Sequence, residues 1–238
     1  MAEPAAREAR AVRANHLRAG NPWWGRLVCR TVGHGLWPTD VVGRENVPAD
    51  GPVLLVANHL GVLDGPLLFA VSPRPTRILI KEEMFRGSLG ALLHDAGQIP
   101  VHGADGGRSA LAAARELLRA GGVVGLFPEG ARGRGDMSGA RGGAAWLALG
   151  TGARVVPVAV LGTRRTGEGV GKVPPPWRRL AVEMGEPLVL EREPGVPGRV
   201  QVEQANVRVQ DALQTVLTRA VARTGLTLPS DEGRRDKH

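Results

Sequence analysis

A histidine and an aspartate five residues apart are the sharpest chemical feature of this sequence. His59 and Asp64 follow the apolar run PVLLVA (52–57), which is typical of a buried strand. Imidazole titrates near neutral pH and can take a proton from a hydroxyl, and a carboxylate on its other ring nitrogen would fix the tautomer. The spacing fits His59 in a strand-to-helix turn and Asp64 in the first turn of a helix. The alternative is a turn histidine followed by a helix-capping aspartate.

A second polar cluster follows another apolar run, GVVGLF (122–127). Glu129, Gly130 and Arg132 stand in the segment FPEGARGR, where a glycine-rich chain lets backbone amides and arginines gather around an anion. Glu129 could hydrogen-bond a substrate hydroxyl or hold Arg132. The alternative is an ordinary Pro-Gly turn with solvated arginines. Both clusters follow predicted strands, and ligands of α/β sheets bind outside the carboxyl ends of strands.

Short apolar runs alternate with helical stretches from residue 40 onward, which predicts an α/β fold with a mixed, mostly parallel sheet flanked by helices. Strands are predicted at 52–57, 76–80, 98–101, 122–127, 154–160 and 180–184, and helices near 65–71, 85–95, 108–120, 141–151 and 201–223. Residues 165–179 are predicted to be a loop because of their glycines and prolines. Pro157 within a predicted strand indicates an edge strand or a bulge.

Three segments are predicted along the chain: an N-terminal helical segment (1–37), an α/β domain (38–228) and a disordered tail (229–238). The first segment holds Trp23, Trp24 and Trp37 beside arginines, which is typical of a helix lying in a lipid interface. We therefore expect residues 5–37 to bind the membrane surface. The alternative is that these tryptophans pack into the core.

Composition narrows the class of protein further. The 238 residues carry a formal charge of +8 with 31 Lys+Arg, which indicates an anionic partner. Cys29 is the single cysteine, so an intrachain disulfide and a multi-cysteine zinc site are excluded, and a cytoplasmic location is expected. The N-terminus lacks the apolar core of a signal peptide, and the longest uncharged stretch, 51–63, is too short to span a bilayer. Nucleic acid is disfavoured because aromatic residues are 3% of the chain and no recognition motif is present.

Several motifs in a set order give the sequence a family resemblance. Beside the His59–Asp64 motif and FPEGAR (127–132), the chain has KEEMF (81–85), GQIPV (97–101), VPVA (156–159) and GEP (185–187). Together they resemble the glycerolipid acyltransferase family, the 1-acylglycerol-3-phosphate O-acyltransferases. The resemblance covers about residues 38–190.

The resemblance implies an enzyme that transfers a fatty acyl group from acyl-CoA or acyl-carrier protein to the free hydroxyl of 1-acylglycerol-3-phosphate, giving phosphatidic acid in phospholipid biosynthesis. It implies His59 as general base with Asp64 as its partner, and backbone amides near 59–62 are expected to stabilise the oxyanion. No cofactor and no metal are implied. A peripheral position on the inner face of an anionic membrane is expected. The residues matching the family's substrate-binding motifs are Asn58, Lys81, Glu129, Gly130, Arg132 and Arg141.

The chain departs from the family pattern at several positions. Ala131 stands where the family usually has threonine, and His102 and Gly103 follow the second motif where an arginine is usual. Arg108 is a candidate for supplying that charge, and Arg141 stands near a usual lysine. An acceptor other than lysophosphatidic acid, meaning another lysolipid or a metabolite hydroxyl, therefore stays open. A non-catalytic lipid-binding relative is a further alternative.

Overall fold

The computed structural model of the protein describes residues 36–103, 107–130, 132–135 and 142–231. In these ranges the chain forms a seven-stranded sheet and five α-helices. In chain order the elements are β1 (Thr39–Val42), β2 (Val53–Ala57), α1 (Asp64–Val71), β3 (Thr76–Lys81), α2 (Gly87–Asp95), β4 (Ile99–Val101), α3 (Arg108–Arg119), β5 (Val123–Leu126), α4 (Gly143–Thr151), β6 (Arg154–Leu161), β7 (Leu180–Met184) and α5 (Gly198–Thr224).

The sheet is mixed and mostly parallel, as the alternation of strands and helices predicts. Its strand order is β1-β7-β6-β2-β5-β3-β4, and every neighbouring pair is parallel except β6 with β7. The carboxyl ends of β2, β3, β4, β5 and β6 therefore meet at one edge of the sheet, which we call the carboxyl edge. Because β7 runs the other way and β1 runs parallel to β7, the first residues of both strands also lie at the carboxyl edge.

The central strand β2 is buried on both faces because helices cover the two sides of the sheet. Leu54 and Val56 face a core built with α3, α4 and α5, while Val53 and Leu55 face a second core that includes α1. Every residue of β2 is buried, which explains the uninterrupted apolar run in its sequence. The closing helix predicted at 201–223 is confirmed as α5.

The proline in β6 marks a bulge, and the expectation of an edge strand is wrong. β6 lies inside the sheet between β7 and β2. The pairing register shifts by one residue between the Val158–Met184 pair and the Val155–Leu188 pair, because the β7 side carries one extra residue there. Pro157 has no N–H to donate, and it lies at this irregular point of the ladder where a donor is not required.

Trp37 packs into the core rather than into a lipid interface, so the membrane expectation is wrong for this residue. Its side chain is buried, and its indole Nε1 donates to the carbonyl oxygens of Pro174 at 3.1 Å and Pro175 at 3.0 Å. Trp23 and Trp24 lie outside the described residues, as does the rest of the segment 1–35. No helix within the described ranges is both long and apolar enough to cross a bilayer.

The disordered tail predicted for 229–238 begins too early. The Ser230 amide donates to the Thr166 hydroxyl at 3.0 Å, and the Gly167 amide donates to Asp231 Oδ2 at 2.9 Å. Ser230 and Asp231 are thus hydrogen-bonded to the loop between β6 and β7, which covers 162–179. The polar composition of the tail could not reveal these long-range partners. Residues 232–238 lie outside the described residues.

Candidate active site

His59 and Asp64 occupy the two positions that their spacing predicts. β2 ends at Ala57, His59 lies in the turn that follows, and α1 begins at Asp64. The turn brings His59 Nδ1 within 2.8 Å of Asp64 Oδ2. We call this pair the dyad. It lies at the carboxyl edge of the sheet, where ligands of α/β proteins bind.

The carboxylate of Asp64 is fully buried and is surrounded by hydrogen-bond donors. Oδ2 also accepts the backbone amides of Leu60 at 2.6 Å and Gly61 at 2.8 Å. Oδ1 accepts the hydroxyl of Thr163 at 2.5 Å. A buried charge is tolerated only when it is paired and hydrogen-bonded, and these donors meet that need. The sequence reasoning missed Thr163, although its position just after β6 at the carboxyl edge is a signal that could have found it.

The ring of His59 is held on two sides. Asp64 receives the Nδ1–H, and the ring of Phe127 stacks on the imidazole with centroids 4.1 Å apart and planes 17° apart. A neutral imidazole that donates from Nδ1 keeps an unprotonated Nε2, which can accept a proton. The His59 side chain is 16% exposed, so the ring is accessible at the carboxyl edge. A ring held in this way by a carboxylate has the geometry that general-base catalysis requires.

The backbone amides after β2 hold the turn together instead of facing a substrate. The amide of His59 donates to Glu129 Oε1 at 3.1 Å, while those of Leu60 and Gly61 donate to Asp64. The expectation that amides near 59–62 stabilise an oxyanion is therefore wrong for these three groups. Glu129 Oε1 joins the segment after β5 to the turn after β2, a role that its position in the sequence did not indicate.

Asn58 is a structural residue, so the expectation that it binds substrate is corrected. Its side chain is fully buried. Nδ2 donates to the Val160 carbonyl at 3.0 Å, and Oδ1 accepts the Val160 amide at 2.7 Å. An amide side chain can satisfy both backbone groups of one residue in this way, which a carboxylate cannot. Asn58 therefore joins the end of β2 to β6 directly beside the dyad.

The segment after β5 brings Arg132 beside the dyad. Gly130 adopts a left-handed φ of 68° in the turn closed by its amide and the Phe127 carbonyl at 3.0 Å. The amide of Gly133 then donates to the His59 carbonyl at 2.9 Å. Burial lowers the pKa of the Arg132 guanidinium from its usual value, and the negative charge of Asp64 partly opposes this effect. Arg132 therefore adds a positive charge close to the dyad.

A buried arginine, which the sequence reasoning did not single out, supports this segment. Arg164 is 1% exposed, and its Nη2 donates to the Gly133 carbonyl at 2.9 Å. Its Nη1 forms an ion pair with Asp231 Oδ1 at 2.8 Å. Asp231 is thus connected to the segment that carries Arg132 through the side chain of Arg164. Nothing local in the sequence signals a contact over 67 residues.

Lys81 lies further along the carboxyl edge, as do His102 and Gly103, which stand where the family usually has an arginine. Lys81 ends β3, and β3 is two strands from β2, which corresponds to roughly 10 Å across the sheet. The Lys81 side chain is exposed. His102 follows β4 and pairs through Nδ1 with Glu82 Oε2 at 2.9 Å. Arg108 is exposed at the first residue of α3, and Arg141 lies outside the described residues.

Two cavities flank the sheet without including the dyad. One of about 220 Å³ lies next to Lys81 along the carboxyl edge. The other, of about 610 Å³, lies between α4 and the start of α5. The smaller cavity is lined by Glu82, Phe85, Arg86, His94, Pro100 and His102. Arg86 and His102 therefore place basic groups at the position where the motif arginine is missing.

A family comparison identifies the class of protein to which this fold and dyad belong. The Acyltransferase family model matches residues 38–161, which is more than half of the chain and includes the dyad and the segment with Arg132. The chain belongs to this family, and the resemblance in its motifs is confirmed.

Its relatives include several glycerolipid enzymes. A 1-acyl-sn-glycerol-3-phosphate acyltransferase of Bacillus subtilis is 29% identical over 150 residues, which are 62% of this chain and 72% of the relative. One from Chlamydomonas reinhardtii is 36% identical over 128 residues, which are 52% of this chain and 38% of the relative. The chain thus spans between 38% and 72% of the length of these two curated relatives.

A solved structure has the same fold. The crystal structure of the 1-acyl-sn-glycerophosphate (LPA) acyltransferase PlsC from Thermotoga maritima matches with a TM-score of 0.65. The match covers 84% of this chain and 79% of that one at 21% identity. It confirms the predicted α/β class with a mixed, mostly parallel sheet.

Proposed function

We propose that the protein is a 1-acylglycerol-3-phosphate O-acyltransferase, which moves a fatty acyl group from acyl-CoA or acyl-carrier protein to the free hydroxyl of 1-acylglycerol-3-phosphate. The product is phosphatidic acid. The observation that carries this proposal is the His59–Asp64 pair, with 2.8 Å between Nδ1 and Oδ2, at the carboxyl edge of an acyltransferase-family domain. The names of the relatives support the choice of acceptor.

His59 acts as the general base in this reaction. Nδ1 is engaged by Asp64, so Nε2 takes the proton of the acceptor hydroxyl while that oxygen attacks the thioester carbonyl carbon. The new C–O bond forms, the C–S bond breaks, and the proton passes from Nε2 to the leaving thiolate. Asp64 stabilises the imidazolium that exists between these two transfers.

The acceptor attacks directly, without an acyl-enzyme. Among the residues that the structure describes, the hydroxyl that contacts the dyad is that of Thr163, but it is buried and donates to Asp64 rather than to His59. A nucleophilic hydroxyl needs the base within hydrogen-bond reach, and this geometry does not provide it. The oxygen that His59 activates is therefore that of the acceptor.

Basic groups along the carboxyl edge bind the acceptor phosphate. Arg132 lies beside the dyad, and Lys81 extends the positive charge toward the cavity that Arg86 and His102 line. Arginine suits phosphate because its planar guanidinium donates two parallel hydrogen bonds. The acceptor is therefore held by its phosphate while its hydroxyl reaches His59.

The protein works as a cytoplasmic, peripheral enzyme on the inner face of the membrane and needs no cofactor. Its partners are the acyl donor, the lysophospholipid and an anionic membrane surface, and nucleic acid is not one of them. The formal charge of +8 supports a position on anionic lipid.

A panel of acceptors tests the proposal. The purified full chain is incubated with acyl-CoA and, separately, with lysophosphatidic acid, lysophosphatidylcholine, lysophosphatidylglycerol and glycerol 3-phosphate, while free thiol is measured. Thiol release is expected with lysophosphatidic acid. Faster release with another acceptor would contradict the assigned substrate, and lipid binding without any release would point to a non-catalytic relative.

A pair of variants tests the phosphate site. Arg132→Met should raise the KM for lysophosphatidic acid by about tenfold, because a charge-assisted contact to phosphate is lost. Arg119→Met is the matched control, since Arg119 ends α3 at the opposite edge of the sheet and is half exposed. Equal KM values for the two variants would contradict the role of Arg132.

A further inference from the structure

Trp177 combines two features that are each unfavourable for a tryptophan. Its side chain is 73% exposed, and its backbone φ is 67°, the one positive φ of a non-glycine residue in the part of the chain that the structure describes. L-residues avoid the left-handed region because Cβ crowds the following carbonyl oxygen. A residue that is both strained and exposed indicates a role outside the folded core.

The loop holds Trp177 in this position through specific contacts. The amide of Trp177 donates to the Leu36 carbonyl at 2.7 Å. The next residue, Arg178, makes a bidentate ion pair with Glu168, with Nη1–Oε2 at 2.6 Å and Nη2–Oε1 at 2.7 Å. Trp37 holds the prolines that precede Trp177. The backbone that carries the exposed indole is therefore held to the domain at several points.

The sheet topology places Trp177 at the same edge as the dyad. Residues 162–179 join the carboxyl end of β6 to the start of β7, and both ends lie at the carboxyl edge because β6 and β7 are antiparallel. Leu36 precedes β1, which starts beside Leu180 at that edge. Thr163, in the same loop, contacts Asp64 directly. A surface that docks through Trp177 would thus face the same way as the dyad.

The residues around Trp177 combine apolar and cationic side chains. Leu36 and Val173 are exposed apolar residues, and Lys172 and Arg179 are exposed basic residues of the same loop. Tryptophan is enriched where protein meets the headgroup region of a bilayer, because its ring is amphipathic. Nearby lysine and arginine add attraction to anionic lipid. We call Leu36, Lys172, Val173, Trp177 and Arg179 together the Trp177 surface.

We propose that the Trp177 surface docks on an anionic lipid bilayer and turns the dyad toward the lipid from which the acceptor comes. The lipid nature of the acceptor rests on the proposed function. The choice of a bilayer over a protein partner rests on the exposed indole, its hydrogen-bonded backbone and the exposed basic residues Lys172 and Arg179 of the same loop, a combination that suits insertion into a headgroup layer. This contact belongs to the α/β domain itself.

Vesicle sedimentation tests the proposal with the full chain. Trp177→Gly removes the indole and retains the backbone, because glycine adopts a positive φ without strain. The control is Val189→Ala, since Val189 is an exposed apolar residue that follows the end of β7 at the opposite edge. With vesicles of phosphatidylcholine and phosphatidylglycerol, Trp177→Gly should lower the partition coefficient about tenfold. Val189→Ala should leave it unchanged, and equal partitioning of the wild type and Trp177→Gly would overturn the proposal.

A comparison of substrates separates this proposal from the proposed function. Trp177→Gly should lose turnover on lysophosphatidic acid embedded in vesicles and keep it on a short-chain, monomeric lysophosphatidic acid. Equal losses on both substrates would overturn the membrane role, because they would indicate damage to the site. If the wild type turns over neither substrate, the proposed function fails, while the difference in vesicle partitioning still supports the docking surface. If Trp177→Gly loses turnover only when acyl-carrier protein is the donor, and partitions onto vesicles as the wild type does, the result would overturn the proposal in favour of an acidic protein partner.

Discussion

Replacing Thr163 by valine tests how the dyad is built. The Thr163 hydroxyl donates to Asp64 Oδ1 at 2.5 Å, and the other carboxylate oxygen, Oδ2, is held by His59 and two backbone amides. Valine has nearly the same shape as threonine, so the change removes one hydrogen bond to a buried charge without opening a cavity. Such a hydrogen bond contributes about 1.5–3 kcal/mol.

The free energy of unfolding of Thr163→Val should therefore fall by about 1.5–3 kcal/mol in urea titrations at pH 7. Because the amides still hold Oδ2, kcat should fall by no more than about tenfold, with an unchanged acceptor KM. Thr163→Ser keeps the hydroxyl and should recover most of the lost stability. Unfolding of Thr163→Val at the same urea concentration as the wild type would refute the reasoning that Asp64 is a buried carboxylate in need of this donor.

Three further predictions concern the surroundings of the dyad. Asp231→Ala should raise the acceptor KM several-fold at little changed kcat, because Arg164 loses the ion pair that helps it hold the segment with the phosphate-binding arginine. Arg178 lowers the pKa of Glu168 to about 2. The ion pair therefore stabilises the fold fully above about pH 4.5, and this stabilisation is lost as the pH falls toward 2. In urea unfolding across this pH range, the free energy of unfolding of the wild type should fall by about 1–2 kcal/mol more than that of Glu168→Gln. Gly135→Ala should destabilise the protein by about 2–4 kcal/mol in the same assay, because its Cβ would lie 2.3 Å from a neighbouring leucine methyl at a φ of 69°.

Each of these predictions has a clear contrary result. Asp95→Ala, which changes an exposed aspartate at the end of α2, is the control for Asp231→Ala, and equal KM values would exclude the proposed link. Identical acid unfolding of the wild type and Glu168→Gln would show that the ion pair does not contribute. A Gly135→Ala protein as stable as the wild type would contradict the close packing of that segment.

Local patterns in the sequence were sufficient to predict most of the sheet and the dyad. Strands such as β2 are apolar throughout because they are buried on both faces, and the spacing of five residues between His59 and Asp64 fits a turn from a strand into a helix. These features depend on residues close together in the chain, which periodicity and spacing can reveal.

Features that depend on distant residues were missed or misjudged. β1 was not predicted, since it is only four residues long and pairs with β7 about 140 residues away. Taken alone, Pro157 indicated an edge strand. The bulge beside it is formed by the chain that follows β7, which the sequence around Pro157 does not reveal. Asn58 was predicted to bind substrate because the sequence did not show that the backbone of Val160 would occupy both ends of its side chain. The ion pair of Arg164 and Asp231 was missed for the same reason, because its two residues are 67 positions apart in the chain.

The central claim is that His59 takes the proton of the acceptor, and the kcat of His59→Ala with acyl-CoA and lysophosphatidic acid tests it most directly. General-base catalysis contributes about 10²–10⁴-fold, so kcat should fall by that factor while circular dichroism and urea unfolding show an intact fold. Asp64→Asn, which keeps the shape of the partner, should lose less. Turnover of His59→Ala within a few-fold of the wild type would contradict the account.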